Sequence, residues 1–409
     1  MTRAAAALIL VVAALACGPP PEPLPRGFGV ARDRGRYGLR VPRTPKLGPF
    51  ALDDGRGVFT APYGWGTATL TLDAPLQQRL VDDLRAGRPL WGAAVILDVK
   101  TGAILALAEH SEREPGVPGA AVRPLAKAAS VFKIVTAAAL VRAGVPLSTQ
   151  VCGGGGRTRI KQKNLDDDGG RCVRFEDVLP FSQNVAMAKL AQKYLTPPLL
   201  EAEAQRFYFN RALPVDFEVQ PSEAPIPTDD EFDFATTAAG FGDVKLGALH
   251  GALLATIAGN GGVMPPPHVI AAVTVEDPPV LPPPERVIDE DTAAALQTMM
   301  TATVAHGTAA RAFTTTERGY RAFTDVPVAG KTGTLTDHKG RVGSGGLDYT
   351  WFVGTAPAQD PHIAVAVAMV NDEWIWYARA LDIAKLTLKR YYALHPEDAA
   401  SGPLARRAP

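Results

Sequence analysis

The feature that most constrains this chain's fold is the position of its apolar strand patterns, which lie near its two ends. Gly92-Ala93-Ala94-Val95-Ile96-Leu97-Asp98-Val99 is an apolar strand, Lys100-Thr101-Gly102 its turn, and Ala103-Ile104-Leu105-Ala106-Leu107 the returning strand. Some 240 residues later, Tyr349 to Gly354 and Ile363 to Val370 repeat the arrangement, with Asp360-Pro361 between them. The short turns imply antiparallel pairing. The intervening sequence reads mostly as helix: residues 130–143 are apolar nearly all round, and Gly247 to Ala258 and Asp291 to Val304 follow. A helix from about Ala378 to Tyr391 closes the pattern. The expected fold class is therefore α+β, an antiparallel sheet built from both ends of the chain around a central helical subdomain.

The 409 residues allow one large domain or two ordinary ones. Lys+Arg and Asp+Glu are equal at 42 each, no long basic stripe is present, and nothing in the balance points to nucleic acid. Residues 1–17 read as a secretory signal: Arg3, an unbroken apolar run from Ala4 to Leu15, then Ala16-Cys17. Ala14-Leu15-Ala16-Cys17 resembles a bacterial lipoprotein box, with Ala14 departing from the usual leucine; the resemblance implies lipidation of Cys17 and a membrane anchor. Ordinary cleavage nearby, or an uncleaved anchor, is the alternative. Residues 18–67 are expected to be a Pro/Gly-rich tether and N-terminal extension, 68–392 the folded domain, and 393–409 a loose tail. These readings place the protein outside the cytoplasm, in the periplasm or cell envelope. There Cys152 and Cys172 can form a disulfide, worth about 3 kcal/mol for a loop of roughly 20 residues. Two buried thiols are the alternative, and a metal site would need two further ligands at short spacing. No metal or cofactor is expected.

Serine is scarce, seven in all, and two of the seven begin short motifs. Ser130-Val131-Phe132-Lys133 reads S-x-x-K, Ser182-Gln183-Asn184 reads S-x-N, and Lys331-Thr332-Gly333-Thr334 reads K-T-G-T. Three-residue spacing on a helix puts Ser130 and Lys133 on one face. A serine hydroxyl needs a base to become a nucleophile, and apolar neighbours favour the neutral, basic form of a lysine. Each motif also has an ordinary explanation. Ser130 and Lys133 fit a helix cap and a surface lysine, and Ser182 or Asn184 fits an N-cap. K-T-G occurs twice, and the copy at Lys100 reads as a hairpin turn. The copy at Lys331 precedes the second strand pair, which sets a cation and two hydroxyls beside the sheet.

Taken in order, the three motifs resemble the transpeptidase domain of penicillin-binding proteins, over about residues 68–392. Leu70 to Asp73 with Leu76-Gln77, the Asp98 to Ala106 hairpin, Gly259 to Gly262, Gly307-Thr308-Ala309 and Trp351 to Gly354 extend the likeness. The resemblance implies that Ser130 attacks a D-alanyl-D-alanine stem peptide with Lys133 as base. It implies that Ser182 and Lys331 pass a proton to the leaving amine, and that Asn184 orients substrate and Lys133. Thr332 and Thr334 would hold the substrate carboxylate, Gly333 would allow close approach, and the N–H groups of Ser130 and Thr334 would form an oxyanion hole. β-Lactams would acylate Ser130, and a glycan polymerase is an expected partner. Where the family often has Pro-Gly before its nucleophile, this chain has Ala128-Ala129. Rival readings are a D,D-carboxypeptidase or endopeptidase, a secreted β-lactamase and a catalytically silent penicillin-binding scaffold. None of Glu201, Glu203, Glu218, Glu223 and Glu231 stands in the sequence context of the class A β-lactamase glutamate.

Overall fold

The computed structural model describes residues 50–113, 116–153, 160–166, 169–274, 279–314, 326–337, 346–372 and 378–400. The signal-like segment, Cys17 and most of the tether lie outside these.

Five antiparallel strands form the central sheet, in the order Ala329–Asp337, Leu347–Ala356, Ile363–Asp372, Trp91–Asp98, Ile104–His110. The ends of the chain meet where Ile363–Asp372 pairs with Trp91–Asp98, from Ile363 opposite Asp98 to Val370 opposite Trp91. Both faces of the sheet are covered, so these strands read as continuous apolar runs without alternation. Ala94, Ile96, Phe352, Val365 and Val367 face one core with Leu76, Leu80, Leu84, Ile383 and Leu388 from the helices Ala74–Gly87 and Ala380–Leu394. Ala93, Val95, Leu97, Val353 and Ala366 face the other core, against Leu249 and Leu253 of the helix Ala248–Gly259. That helix lies tight on the sheet. A Cβ on Gly251 would sit 3.2 Å from Val353 Cγ1 and 3.3 Å from Trp351 Cζ3.

The helical subdomain comprises Lys133–Arg142, Asn184–Tyr194, Pro197–Arg206, Glu231–Ala238 and Glu290–Ala305. Its central helix, Lys133–Arg142, is buried over its first eight residues. Local chemistry sets other helix ends: Asp73 caps Ala74–Gly87 by accepting from Leu76 N at 2.9 Å, and Asp289 caps Glu290–Ala305 through Thr292 N at 2.8 Å.

Two expected boundaries are corrected. Folded structure starts well ahead of residue 68: Ala51–Asp53, Val58–Tyr63 and Gly66–Leu70 form a second sheet whose fourth strand is Ile270–Val273. The first three strands are short, and the fourth comes from some 200 residues away, so the local pattern gives little notice of the sheet. The tail from residue 393 is not loose over its first part. The final long helix runs to Leu394, a short helix Pro396–Ala400 follows, and His395 Nε2 lies 2.9 Å from Asp73 Oδ2. Tyr391 donates its hydroxyl to Asp398.

Candidate active site

The cavity of interest lies where the K-T-G-T strand meets the helical subdomain. It is lined by Ser130, Ser182, Asn184, Thr308, Thr332, Gly333, Thr334, Thr350, Trp351, Arg379 and Leu381, with a volume of about 380 Å³. Ser130 sits in a tight 3-10 turn, Ala129–Phe132, that leads straight into the helix Lys133–Arg142. Ala129, ahead of it, has φ 49°, a left-handed conformation that an L-alanine adopts only at a cost. A glycine elsewhere makes room for this turn. A Cβ on Gly240 would fall 2.4 Å from the Ala129 carbonyl oxygen.

Lys133 Nζ lies 2.8 Å from Ser130 Oγ and donates to Asn184 Oδ1 at 2.7 Å. The lysine is fully buried, and its pKa is held well below the ordinary 10.5, first by burial and then by the charge of Lys331. A buried amine that favours its neutral form can accept the Ser130 proton while still donating to Asn184.

Ser182 also adopts a left-handed conformation, with φ 51°. The N-cap position of the following helix, Asn184–Tyr194, is Gln183, whose side chain makes no capping bond. The helix-cap explanation therefore fails for Ser182 and Asn184. Asn184 turns its carbonyl oxygen to Lys133, and Ser182 Oγ accepts from Lys331 Nζ at 3.1 Å.

Lys331, fully buried on the strand Ala329–Asp337, also donates to the Thr332 carbonyl at 2.8 Å. Thr332 Oγ1 lies 2.6 Å from Thr308 Oγ1. The Gly307-Thr308 segment is pressed against the S-x-N loop: Thr308 N donates to Pro180 O at 3.1 Å, and a Cβ on Gly307 would fall 2.4 Å from that oxygen. Gly333 has a packing role the motif did not disclose. A Cβ there would sit 3.0 Å from Trp351 Cβ, 3.2 Å from Val131 Cγ2 and 3.3 Å from Ala128 O, so the missing side chain lets the strand lie against the Ser130 turn. Trp351 completes the wall by donating its indole N–H to Lys127 O at 2.8 Å. Lys127 Nζ in turn lies 3.0 Å from Asp243 Oδ1 and 3.2 Å from Asp337 Oδ2, at the far end of the K-T-G-T strand.

All eight motif residues thus meet at one corner of the fold. Gly240, Thr350, Arg379 and Leu381 were not identified from the sequence. The first acts through a backbone contact formed 110 residues away along the chain, and the others reach the cavity only through the closing of the sheet. Cys152 and Cys172 are joined by a disulfide across the short pair Gln150–Cys152 and Cys172–Arg174. Among the described residues no group of three or more His, Cys, Asp or Glu is placed to hold a metal ion.

Residues 92–391 match the penicillin binding protein transpeptidase domain family. The chain belongs to that family. It is similar to the peptidoglycan D,D-transpeptidase PbpA of Mycolicibacterium smegmatis, 26% identical over 347 residues that span 75% of this chain and 67% of that protein. Its fold is that of the D,D-transpeptidase domain of a peptidoglycan glycosyltransferase from Eggerthella lenta. That match has a TM-score of 0.63 and 22% identity, covering 85% of this chain and 95% of that one. PBPA from Mycobacterium tuberculosis shares it with the same TM-score and identity over 81% of each chain.

Proposed function

We propose that the protein is a serine D,D-transpeptidase that cross-links peptidoglycan stem peptides outside the cytoplasm. The observation that carries the reading is the pairing of two fully buried lysines with two serines, Lys133 with Ser130 and Lys331 with Ser182. Neutral Lys133 takes the proton as Ser130 Oγ attacks the carbonyl of the penultimate D-alanine. The Ser182 hydroxyl, backed by Lys331, delivers a proton to the departing amine of the terminal D-alanine. Asn184 holds Lys133 in register, Thr332 and Thr334 bind the substrate carboxylate, and the N–H groups of Ser130 and Thr334 stabilise the oxyanion. A second stem-peptide amine then takes the acyl group and Ser130 Oγ recovers its proton. β-Lactams acylate the same oxygen. No cofactor is used.

The class A β-lactamase reading needs a carboxylate beside the cavity to activate water. Among the described residues that line it there is no carboxylate to activate water. Glu203 is engaged instead with Arg142 at 3.3 Å and Arg206 at 3.5 Å, and Glu223 with Lys245 at 2.8 Å. Among the described residues no helix is long and apolar enough to cross a membrane. A signal segment at residues 1–17 with acylation at Cys17 supplies the anchor in this account. A glycan polymerase supplies the strands to be joined.

The test is to follow a fluorescent penicillin on the purified protein. A stable label lost in Ser130→Ala, with cross-linking of stem peptides, is the expected result. Labelling that survives Ser130→Ala refutes the acyl-serine assignment, and rapid turnover of the label shows a β-lactamase. Release of D-alanine without cross-linking shows a carboxypeptidase.

A further inference from the structure

The K-T-G-T strand stands at the edge of the central sheet. Ala329–Asp337 pairs with Leu347–Ala356 on one side, and among the described residues no strand pairs with its other side. Backbone pairing therefore fixes this strand to the sheet and leaves its separation from Ser130 to other contacts. Gly333 supplies one of them, packed on Val131 and Ala128. Asp337 lies four residues further, roughly 13 Å along an extended strand.

At that outer end stands Lys127, three residues before Ser130. It is not among the residues that line the cavity, and the proposed chemistry does not use it. Its Nζ lies 3.2 Å from Asp337 Oδ2 and 3.0 Å from Asp243 Oδ1. The two carboxylates differ in setting. The side chains of Asp337 and Lys127 are 17% and 21% exposed, whereas that of Asp243 is 79% exposed. Water and salt screen the pair with Asp243 far more than the pair with Asp337. Burial by itself would lower the Lys127 pKa. Hydrogen bonds to Asp243 and Asp337 outweigh it and raise the value above the ordinary 10.5, so the amine is charged at neutral pH.

The backbone beneath this ammonium is itself held. Lys127 pairs with Lys245 in a short ladder, and Ala128 N donates to Val244 O at 2.9 Å. The Lys127 carbonyl accepts from the indole N–H of Trp351 at 2.8 Å. A charge carried on a fixed segment can hold the end of a strand that has a neighbour on one side only.

We propose that Lys127 is a positioning residue for acylation, its ion pair with Asp337 tying the outer end of the K-T-G-T strand to the segment that carries Ser130. Gly333 and the ion pair are then two points that set the separation, one by close packing and one by charge. Between and beside them Lys331, Thr332 and Thr334 are kept at working distance from Ser130 Oγ. The role rests on the acyl-serine reading given above. A misplacement of about 1 Å can cost roughly 10²-fold in rate, so a loosened strand is felt in acylation even where stability changes little.

The test is the rate at which a fluorescent penicillin labels the full-length protein and its variants, beside their unfolding in urea. Lys127→Met and Asp337→Asn should each slow labelling per folded molecule by about tenfold. The double variant should be no slower than either single one, because both remove the same interaction. Lys127→Arg should recover most of the rate, and Asp243→Asn should stay within about twofold of wild type. Labelling at the wild-type rate in Lys127→Met and Asp337→Asn overturns the positioning role, whatever happens to stability. So do additive losses in the double variant, a Lys127→Arg as slow as Lys127→Met, or a loss in Asp243→Asn equal to that in Asp337→Asn. A wild type that takes no label, or a label that survives Ser130→Ala, fails at the acyl-serine reading and removes the positioning role with it. Wild type labelled at Ser130, with every variant equally fast, overturns the positioning role alone.

Discussion

The two K-T-G sequences of this chain form a natural controlled comparison. Lys100 sits on a hairpin, half exposed, near Asp360 at 3.6 Å and Asn260 at 3.4 Å, where water competes for its charge. Lys331 has no exposed surface and donates to Ser182 and the Thr332 carbonyl. The glycines differ as much. Gly102 has φ 80°, and a Cβ there would meet the Pro266 carbonyl oxygen at 2.4 Å, so it serves a turn. Gly333 lies within a strand and is required by the neighbouring Ser130 turn. The same three letters make a connection at one place and a wall of the cavity at the other. Burial and partners decide which.

The comparison is broken most easily at the lysines. Lys331→Ala should slow acylation by penicillin by about 10²- to 10⁴-fold, the range for a positioned proton-transfer group, while Lys100→Ala should leave it within error. Comparable losses in both variants would show that the buried copy has no special role. Next in size is the pH response. Acylation should weaken as the pH falls through the lowered pKa of Lys133, because the protonated amine cannot accept the serine proton. Lys133→Arg, permanently charged, should lose activity, and the activity that remains should no longer show that limb. Stability has its own sign. The unfolded chain holds this proton up to the ordinary lysine value of 10.5, so between the folded pKa and 10.5 the unfolded state binds more protons and stability rises with pH. Urea unfolding across that window, with Lys133→Met as the reference, measures it.

The glycine variants should separate stability from activity. Gly102→Ala is expected to cost about 1–3 kcal/mol of stability, read by urea unfolding, with acylation per folded molecule unchanged. Gly333→Ala should reduce acylation by about tenfold, since moving the strand displaces its reacting groups, with a smaller effect on unfolding. The reverse pattern would exchange the roles assigned to the two glycines. The smallest effect on acylation is expected of the disulfide. Removing the Cys152–Cys172 bond, which spans 20 residues, should cost about 3 kcal/mol and leave acylation unaltered.

Much of this arrangement was legible in the sequence. The ordered motifs and the strand pairs at both ends were enough to bring Lys331 beside Ser130, and the apolar helix from residue 130 marked the dry site. Patterning could not show the pairing of residues 51–70 with Ile270–Val273, because the strands are short and their partner is remote. Nor could it show why Ala-Ala is tolerated ahead of Ser130. That depends on Gly240, where a missing side chain leaves space for the Ala129 carbonyl. Arg379 and Leu381 reach the cavity because the last helix begins beside the sheet, a consequence of topology and not of any local motif.

Peptide mapping by mass spectrometry after brief exposure to penicillin tests the central claim most directly. The account predicts one adduct, carried by the peptide that contains Ser130, absent from Ser130→Ala and slow to disappear. An adduct on any other residue of the folded protein, or none at all, would contradict it.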